Sequence, residues 1–533
     1  MNPVPFLQIA PELPADQTVQ IPEDLEITGV SDDSRKIKPG MIFVAYKGES
    51  SDGHQYIDSA VTNGASLIVG EEIPKNGVAV PFIQVTNSRK KLAHIAAAFY
   101  GYPARKLTMI GVTGTDGKTT TANLIFAILK KAGIRAGLIS TVNAVVGEDI
   151  LDTGFHVTTP DAPDVQFYLS KMVDAGLTHV VLETTSHGWA QYRVDACEFD
   201  IGVVTNITHE HLDYHKTYEN YLAAKGRLFS SLQEVEPKNG KSIRLAVLNR
   251  DDVSYAKLLG LVPGYKSSYG FYPTSEFQAT DAILNADGLS FTLTVNGSEQ
   301  FDPARVTVPL YGLYNISNCL AAIDAAVKGL GISLATAIDA LGSFEGIPGR
   351  MQRVDLGQQF TAFVDFAHTP NALRVTLETA KLIRDTYVGQ GKVPGRIIAV
   401  FGSAGLRDRE KRRMMAETSA ELADVTIITA EDPRTERLEL ILEEMKKAAE
   451  GKGAKFGQSL LVEGDRPSAF RLGVKIAKNN DILLCCGKGH EQSMCFGTTE
   501  YAWDDNTALK AAIAERLSIL GPEMPLLPTT PQT

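Results

Sequence analysis

The chain has 533 residues, of which 44% are hydrophobic and 22% charged, and this composition is typical of a soluble globular protein with about three domains. Its 52 lysines and arginines against 63 aspartates and glutamates give a net charge of −11 without a long basic run, which argues against a nucleic-acid surface. Cysteine spacing matches no metal site and the count is odd, which indicates reduced thiols in the cytoplasm; the five are Cys197, Cys319, Cys485, Cys486 and Cys495.

The N-terminus carries prolines and acids where a signal peptide would have a basic start and an apolar stretch, so we predict none. The first hundred residues predict short strands and turns, with a strand over Met41–Gly48 and a helix over His94–Pro103. No apolar run approaches the ~18 residues that span a bilayer. We expect no membrane segment.

From Leu107 onward, continuous β-branched runs alternate with amphipathic helices, which predicts a parallel sheet covered on both faces. A turn-rich joint, "GIPGRMQRV", places a boundary near residue 346, and α/β alternation resumes after it. The predicted α/β fold therefore has an N-terminal domain at 1–106, a central P-loop-type parallel-sheet domain at 107–345 and a C-terminal Rossmann-like domain at 346–521. The tail, residues 522–533, is predicted to be disordered.

The stretch "GVTGTDGKTTT" lies between a predicted buried strand and an amphipathic helix. Unpaired N–H groups and the helix dipole at such a position favour a polyphosphate. Gly114 and Gly117 allow close approach, Lys118 can reach the β- and γ-phosphates, and the Thr119 hydroxyl can reach Mg²⁺. The standard phosphate-loop spacing would put its first glycine at position 112, which is Val112. A plain glycine-rich turn is the alternative, but the strand context favours nucleotide binding.

Acidic and imidazole side chains follow two further predicted strands. Glu183 ends one strand, and "TNITHEHLDYH" after another supplies His209, His211, Asp213 and His215. A zinc hydrolase cluster is one rival interpretation, although Tyr214 makes its spacing one residue too long. A solvated turn is another, and a magnesium–phosphate role is the interpretation that we favour.

These residues resemble the Mur ligases of peptidoglycan synthesis. The loop is similar to the family's Thr-Gly-Thr-x-Gly-Lys-Thr-Thr motif, and further family blocks follow in the family's order: "ETTSHG", "TNITHEHLDYH", "GLYNISNCLAA", "GIPGRMQRV" and "VDFAHTPNAL". The resemblance spans about residues 27 to 505 and implies three domains, binding a uridine nucleotide, ATP and an incoming amino acid. Within the family, the N-terminal "SDGH" block and the C-terminal "EDPR" and "CCGKGHE" blocks resemble the ligases that add a diamino acid to UDP-N-acetylmuramoyl-L-alanyl-D-glutamate.

The resemblance also implies a reaction and its site residues. ATP phosphorylates the D-glutamate carboxylate, and the amine of the amino acid then displaces phosphate. Catalytic roles fall to Lys118, Glu183, His211 and Lys225, and the ATP site comprises Gly114, Thr115, Asp116, Gly117, Lys118, Thr119, Thr120, Asn315, Asn318, Arg350, Asp365 and His368. Mg²⁺ would lie at Thr119, Glu183, His211 and Lys225, with Lys225 carbamylated. The UDP-substrate site comprises Ser34, Arg35, Asp52, Gly53, His54, Thr158, Thr159, Ser186, Gln191 and Arg193.

The amino-acid site implied by the resemblance comprises Arg412, Glu431, Asp432, Pro433, Arg434, Gly487 and Glu491. Family members that add meso-diaminopimelate carry Asp-Asn-Pro-Arg where this chain has Glu-Asp-Pro-Arg. Arg434 suits a distal carboxylate and favours diaminopimelate, whereas the charge of Asp432 favours a substrate ending in an ammonium, such as lysine or ornithine. We weigh the arginine more heavily. Leu406 is a second departure, because the family shows an acidic residue there.

Structural roles are the alternative for single residues: Asn315 and Asn318 could cap a helix, Arg350 could be a turn arginine, and Lys225 could lie on a helix surface. For the whole chain, the alternatives are another ligase of the superfamily, of folylpolyglutamate or cyanophycin type, or a non-catalytic nucleotide-binding regulator. The "SDGH" block argues against the first and the intact metal cluster against the second. We expect a cytoplasmic monomer, tied to cell shape and division, that binds neither nucleic acid nor membrane.

Overall fold

The structure, a computed structural model, describes residues 2–14, 21–22, 24–48, 51–75, 77–151, 158–208, 212–233, 235–238, 240, 242–262, 264–285, 287–297 and 302–531, without the side chains of 212 and 213. The chain divides into two compact units, one of Met1–Thr280, Leu293–Ala304 and Ser317–Leu341, the other of Asp281–Thr292, Arg305–Ile316 and Gly342–Thr533. No helix in the described ranges is long and apolar enough to cross a membrane.

The N-terminal part of the first unit contains a four-stranded parallel sheet in the order β3-β4-β5-β6. Apolar side chains of these strands pack on one face against helix α3, whose first turn is capped by the Asn87 side chain. That cap starts the helix six residues before the predicted His94. The elements are β1 (Val4–Pro5), α1 (Phe6–Ile9), β2 (Glu26–Ile27), β3 (Gly29–Ser31), β4 (Met41–Val44), α2 (Ile57–Thr62), β5 (Leu67–Gly70), β6 (Phe82–Gln84) and α3 (Ser88–Phe99).

The central part alternates buried strands and helices, as the apolar runs predict. Its elements are β7 (Thr108–Thr113), α4 (Lys118–Lys131), β8 (Ala136–Ile139), β9 (Ala144–Val146), β10 (Asp149–Leu151), α5 (Ala162–Asp174), β11 (His179–Glu183), α6 (Ser186–Ala190), β12 (Ile201–Val204), α7 (Leu212–His215), α8 (Tyr218–Ser231), β13 (Leu245–Asn249), α9 (Tyr255–Leu261), β14 (Tyr265–Gly270), β15 (Phe277–Asn285), β16 (Gly288–Val295), β17 (Ala304–Val308), α10 (Tyr314–Asp324) and α11 (Leu334–Gly342).

The central sheet has the order β10-β9-β8-β11-β7-β12-β13-β14-β15-β16-β17. Strands β8, β11, β7, β12, β13 and β14 are parallel, so their carboxyl ends lie at one edge. Strand β7 has β11 and β12 as neighbours, with Glu183 opposite Val112 and Val204 opposite Thr113. The residues after these three strands therefore meet, which is where an open α/β sheet binds ligands.

The second unit carries a six-stranded sheet in the order β18-β19-β23-β20-β21-β22, parallel except for β18. Its elements are β18 (Gln352–Val354), β19 (Thr361–Asp365), α12 (Pro370–Gly389), β20 (Ile397–Phe401), α13 (Arg409–Leu422), β21 (Val425–Ile428), α14 (Leu438–Gly451), β22 (Leu460–Val462), α15 (Arg466–Ile476), β23 (Ile482–Cys486), β24 (Ser493–Phe496), β25 (Thr499–Ala502) and α16 (Asp505–Leu517). The α/β class and the parallel sheets are as the sequence predicts; the domain boundaries stay a prediction.

The C-terminal segment differs from the prediction of a disordered tail. Leu527 is buried against the core of the second unit, and the hydroxyls of Thr529 and Thr530 both donate to the Asp465 carboxylate at 2.9 Å. The prediction is therefore wrong for residues 522–531. The proline-rich composition predicts disorder, but Leu527 packs on the core and the hydroxyls of Thr529 and Thr530 bind the residue that caps α15.

Replacing Leu527 with alanine should therefore lower the free energy of unfolding by about 2–3 kcal/mol, the ordinary cost of a buried leucine. Leu526, 69% exposed, provides the matched control, and Leu526→Ala should change little. Denaturant unfolding of both variants measures the difference. Equal stability of the two variants would show that the segment does not pack on the core.

Candidate active site

The loop between β7 and α4 has the backbone of a phosphate cradle. Gly114 and Gly117 adopt φ angles of +151° and +80°. A Cβ at Gly114 would lie 1.8 Å from Oγ1 of Thr205, and one at Gly117 would lie 2.3 Å from Oδ1 of Asn318. Both positions therefore require glycine. Helix α4 begins at Lys118, so the first-turn N–H groups after the loop are directed where an anion would bind.

Residues after β12 brace this loop. The Thr115 N–H donates to the Asn206 carbonyl at 2.7 Å, and the Asp116 N–H donates to the Asn206 side chain at 3.0 Å. Lys118 folds back over the loop, its ammonium donating to the Thr115 carbonyl at 2.7 Å. The lysine thus lies at the cradle that a polyphosphate would occupy.

A carboxylate and two hydroxyls meet beside the cradle. Oγ1 of Thr119 lies 3.0 Å from both carboxylate oxygens of Glu183, which is 1% exposed. The N–H and hydroxyl of Thr141 both donate to Oε2 of Glu183 at 3.0 Å. Hydroxyl and carboxylate oxygens beside a phosphate cradle are the donors that Mg²⁺ prefers, so this set fits the predicted metal.

Lys225 lies in the interior and not on a helix surface. Its side chain is buried, and its ammonium donates to the Gly114 carbonyl and lies 4.6 Å from the centre of the Tyr221 ring. The Tyr221 hydroxyl is in turn 3.1 Å from Oγ1 of Thr115. Helix α8 therefore brings Lys225 directly to the loop. His211, the remaining predicted metal ligand, lies outside the described residues, as does His209.

Asn318 and Thr120 also belong to the neighbourhood of the loop. The Thr121 hydroxyl donates to Oδ1 of Asn318 at 3.3 Å, which places that amide beside Gly117. Thr120 is buried in the first turn of α4. Asn315, the second residue of α10, donates its side-chain amide to the Tyr311 carbonyl at 2.7 Å, which ties the first turn of the helix to the segment before it.

Several residues predicted to bind the UDP substrate form one network next to Glu183. The Arg193 guanidinium donates to the Thr159 carbonyl at 2.6 Å and to Oε1 of Gln191 at 2.8 Å. The Thr159 hydroxyl in turn donates to the Glu183 carbonyl at 3.3 Å. Ser186 is buried at the first position of α6, and Thr158 directly precedes Thr159.

The predicted residues of the N-terminal part have local contacts of their own. Asp52 accepts the N–H of His54 at 3.0 Å and its Nδ1–H at 2.7 Å, and this bond lowers the pKa of Asp52. Nε2 of His54 accepts the Glu71 N–H, so the ring is the Nδ1–H tautomer. Gly53 lies where a Cβ would come within 2.8 Å of the Tyr46 carbonyl.

Ser34 and Arg35 lie on a short turn after β3. The Ser34 carbonyl accepts the Asn63 amide at 2.9 Å, and Arg35 is exposed and paired with Asp33 at 2.8 Å. The exposed guanidinium is the more accessible of the two for a phosphate ligand.

In the second unit, two predicted nucleotide residues lie against one aromatic ring, and a third directly precedes that ring in the chain. The Arg350 guanidinium lies 4.9 Å from the centre of the Phe366 ring, and the His368 ring is 4.3 Å from it. Asp365, just before, accepts the N–H groups of Met351 and Ala367 at 2.7 and 2.9 Å. Burial raises the pKa of Asp365 and lowers that of His368 to about 4. His368 is therefore a neutral imidazole at pH 7.

The predicted amino-acid residues lie at the carboxyl ends of β21 and β23 in the same unit. Glu431 is 6% exposed, and among the described residues its Oε2 has no hydrogen-bond partner. Gly487 lies against it, since a Cβ there would be 2.6 Å from Oε2. Burial raises the pKa of Glu431 to about 7. Within the described part of the chain, the Arg434 guanidinium, beyond Pro433, makes no ion pair.

Arg412 has a different environment from the one predicted. Its side chain is 1% exposed and pairs with Glu436 at 2.9 Å and with Glu444 at 2.7 Å. Its Nε is buried without a hydrogen-bond partner among the described residues, and its role toward the amino acid stays a prediction. Its place within α13 instead ties the loop at residues 403–408 to α14.

Comparisons with known proteins show the family of this chain. Three family models match in chain order: the Mur ligase family catalytic domain at residues 26–100, the Mur ligase middle domain at 112–326 and the Mur ligase glutamate ligase domain at 349–489. The chain belongs to the Mur ligase family. It is therefore an ATP-dependent ligase that forms a C–N bond.

Individual relatives of this Mur ligase are similar along nearly the whole chain. A UDP-N-acetylmuramyl-tripeptide synthetase from a Roseiflexus species is 40% identical over 501 residues, 93% of this chain and 96% of the relative. A UDP-N-acetylmuramoyl-L-alanyl-D-glutamate–2,6-diaminopimelate ligase from Bacillus cereus is 37% identical, with the same shares covered. A solved structure of a ligase with that second name has 29% identity and a TM-score of 0.66, and covers 97% of this chain and 100% of its own.

Sequence reasoning missed several residues that this Mur ligase brings to the sites. Thr141 binds Glu183, and its signal was a position just after β8, beside β11 in the sheet. Tyr221 lies one helical turn before Lys225, a spacing visible in "YLAAK". His490 packs on Phe366 at 4.8 Å, and Lys488 pairs with Asp432. No local sequence pattern indicates the contacts of His490 and Lys488, because they join segments far apart in sequence.

Proposed function

We propose that this Mur ligase is of the MurE type and joins a diamino acid to the D-glutamate of UDP-N-acetylmuramoyl-L-alanyl-D-glutamate, a step of peptidoglycan synthesis. The observation that carries the proposal is the cradle at Gly114–Lys118 with Glu183, Thr119 and Thr141 beside it. Two relatives, named for this tripeptide synthesis and for the diaminopimelate ligase, support the substrate class.

The chemistry begins with a carboxylate, a poor electrophile at neutral pH. In the proposed reaction, an oxygen of the D-glutamate carboxylate attacks the γ-phosphorus of ATP, which releases ADP and leaves an acyl phosphate. The uncharged amine then attacks the acyl carbon, the tetrahedral intermediate expels phosphate, and the amine loses its proton. Both steps depend mainly on positioning and charge neutralisation.

The residues at the loop divide this work. Lys118 and the first-turn N–H groups of α4 bind phosphate oxygens and neutralise the charge that develops on them. Thr119 and Glu183 would hold Mg²⁺, which would further neutralise the charge of the phosphates. Arg193 and Thr159, next to Glu183, hold the muramoyl peptide so that its carboxylate meets the γ-phosphate.

Lys225 is proposed to act as a carbamate. Its neutral amine adds to carbon dioxide and loses a proton, which turns a cation into a carboxylate-like metal ligand. Burial beside Gly114 supports this proposal, because such a position puts the nitrogen at the nucleotide loop. His211 would complete the same metal site.

The incoming amino acid is proposed to be meso-diaminopimelate in preference to lysine or ornithine. The Arg434 guanidinium suits a carboxylate as its bidentate partner. Glu431 supplies the negative charge for the ammonium, with Gly487 and Glu491 around it. We also propose a cytoplasmic monomer with domains at 1–106, 107–345 and 346–521.

A product assay tests the proposed function. The purified protein, UDP-N-acetylmuramoyl-L-alanyl-D-glutamate and ATP are incubated with equal amounts of diaminopimelate, lysine and ornithine, and the products are separated by mass. The diaminopimelate adduct should dominate. Dominance of a lysine or ornithine adduct would overturn the choice of amino acid, and no adduct at all would overturn the function.

The pH dependence of kcat/KM for the amino acid should reflect the ionisation of Glu431. Because its pKa is near 7, lowering the pH below 7 removes the charge that attracts the amino acid, so kcat/KM for the amino acid should fall. In Glu431→Gln, this fall of kcat/KM below pH 7, the acid limb of the pH profile, should disappear. Since the folded-state pKa lies above the ordinary 4.5, ionised Glu431 costs folding free energy above pH 7, and the glutamine variant should melt at a higher temperature there.

Glu439→Gln, at an exposed glutamate of α14, is the matched control and should keep the limb. Should the limb near pH 7 persist in Glu431→Gln, another group is responsible for it.

A further inference from the structure

Lys488 lies between two carboxylates in the pocket proposed for the amino acid. Its ammonium is 3.0 Å from both carboxylate oxygens of Asp432 and 2.5 Å from Oε2 of Glu491. The lysine side chain is only 2% exposed, whereas those of Asp432 and Glu491 are 16% and 30% exposed. A buried ammonium joins the turn after β21 to the turn after β23.

The Asp432 carboxylate oxygens are bonded to donors of the protein itself. One carboxylate oxygen of Asp432 also accepts the Cys495 N–H at 3.0 Å. The neighbouring backbone is fixed as well, because the Arg434 N–H donates to the Cys495 carbonyl at 3.1 Å and the Gly497 N–H donates to the Arg434 carbonyl at 2.8 Å. Asp432 therefore faces a lysine and a backbone N–H, which opposes the expectation that its charge repels a distal carboxylate.

Glu431 and Arg434 differ from Asp432 in this respect. Oε2 of Glu431 is buried without a partner in the described structure, and the Arg434 guanidinium has no ion pair there. Glu431 and Arg434, on either side of Asp432 and Pro433, can therefore pair with the charged groups of a bound amino acid. Their spacing is set by the segment that Lys488 holds.

We propose that Lys488 is a positioning residue for the incoming amino acid, and that Asp432 acts through Lys488 and does not itself read the end of the substrate's side chain. The proposal rests on the proposed function and deepens it. Asp432 replaces the asparagine of the diaminopimelate-adding enzymes with a carboxylate whose oxygens are bonded to the Lys488 ammonium and the Cys495 N–H. The same ammonium pairs with Glu491, so the two carboxylates and one ammonium together keep one net negative charge.

Steady-state kinetics of four variants test the proposal: Lys488→Met, Lys488→Arg, Asp432→Asn and the double variant Lys488→Met/Asp432→Asn. Lys488→Met should raise KM for the amino acid about tenfold, the equivalent of one lost charge-assisted contact, with KM for ATP unchanged. Lys488→Arg should recover most of that loss. Asp432→Asn should keep the ratio of diaminopimelate to lysine kcat/KM within about threefold, and the double variant should be no worse than Lys488→Met alone.

Lys475→Met, an exposed lysine of α15, is the matched control and should match the parent protein. A tenfold or larger change of the substrate ratio in Asp432→Asn would overturn the proposal, as would singles whose effects on KM multiply in the double variant.

Melting temperatures of the parent protein, Lys488→Met, Asp432→Asn and the double variant test the coupling of Asp432 and Lys488 without an activity assay. The two single losses should be sub-additive, because both break one ion pair; strictly additive losses would show that Asp432 and Lys488 are not coupled. A parent protein that forms no product with either amino acid would refute the proposed function, while the melting cycle would still test the pairing.

Discussion

Lys118→Ala is expected to lower kcat by about 10³-fold, because it removes a positive charge from the phosphate cradle where charge develops during phosphoryl transfer. The lysine ammonium lies within the loop, bonded to the Thr115 carbonyl at 2.7 Å, so a bound polyphosphate would draw it only a short way. ADP release with all three substrates measures the loss. The protein should remain folded, since Lys118 is only partly buried.

Lys130→Ala, at the far end of the same helix, is the matched control and should retain full activity. Undiminished ADP release by Lys118→Ala would remove this loop from the mechanism.

Lys225→Ala is expected to lose most of its activity and to recover part of it when a small carboxylate is added. Deleting the side chain removes the group proposed to bind metal as a carbamate, and a small carboxylate such as acetate can enter the space that is left. We expect activity at least about 10²-fold below the parent protein, with a dose-dependent partial recovery in acetate. Lys118→Ala should show no such recovery, which separates rescue from a general salt effect.

Full activity of Lys225→Ala without acetate would show that no carbamate is needed. Mass measurement of the intact parent protein in bicarbonate gives an independent check, because a carbamate adds the mass of carbon dioxide to the chain.

The sequence predicts the parts of this protein that depend on local pattern. Apolar runs and glycine positions predict β7, the loop and α4, and the strand ends predict that Glu183 and the loop share one sheet edge. Mur ligase membership rests on motif order, which the family models confirm.

Contacts that join distant segments were beyond that pattern. Arg412 follows a family motif, yet its guanidinium binds Glu436 and Glu444 from the turn before α14 and from α14 itself. Asp432 looked like a free charge because the cation that pairs with it, Lys488, lies 56 residues further along the chain. Disorder in the tail was inferred from composition, which cannot show that Leu527 finds a buried site.

The most direct test of the acyl-phosphate intermediate follows the oxygen atoms of the D-glutamate carboxylate. The D-glutamate carboxylate of the UDP-muramoyl dipeptide is labelled with ¹⁸O, and the phosphate released during one round of ligation is examined by mass spectrometry. Activation through an acyl phosphate predicts that one labelled oxygen leaves with each phosphate, since the attacking carboxylate oxygen becomes the leaving oxygen. Phosphate free of label, with amide still formed, would contradict the claim that ATP is spent on the carboxylate.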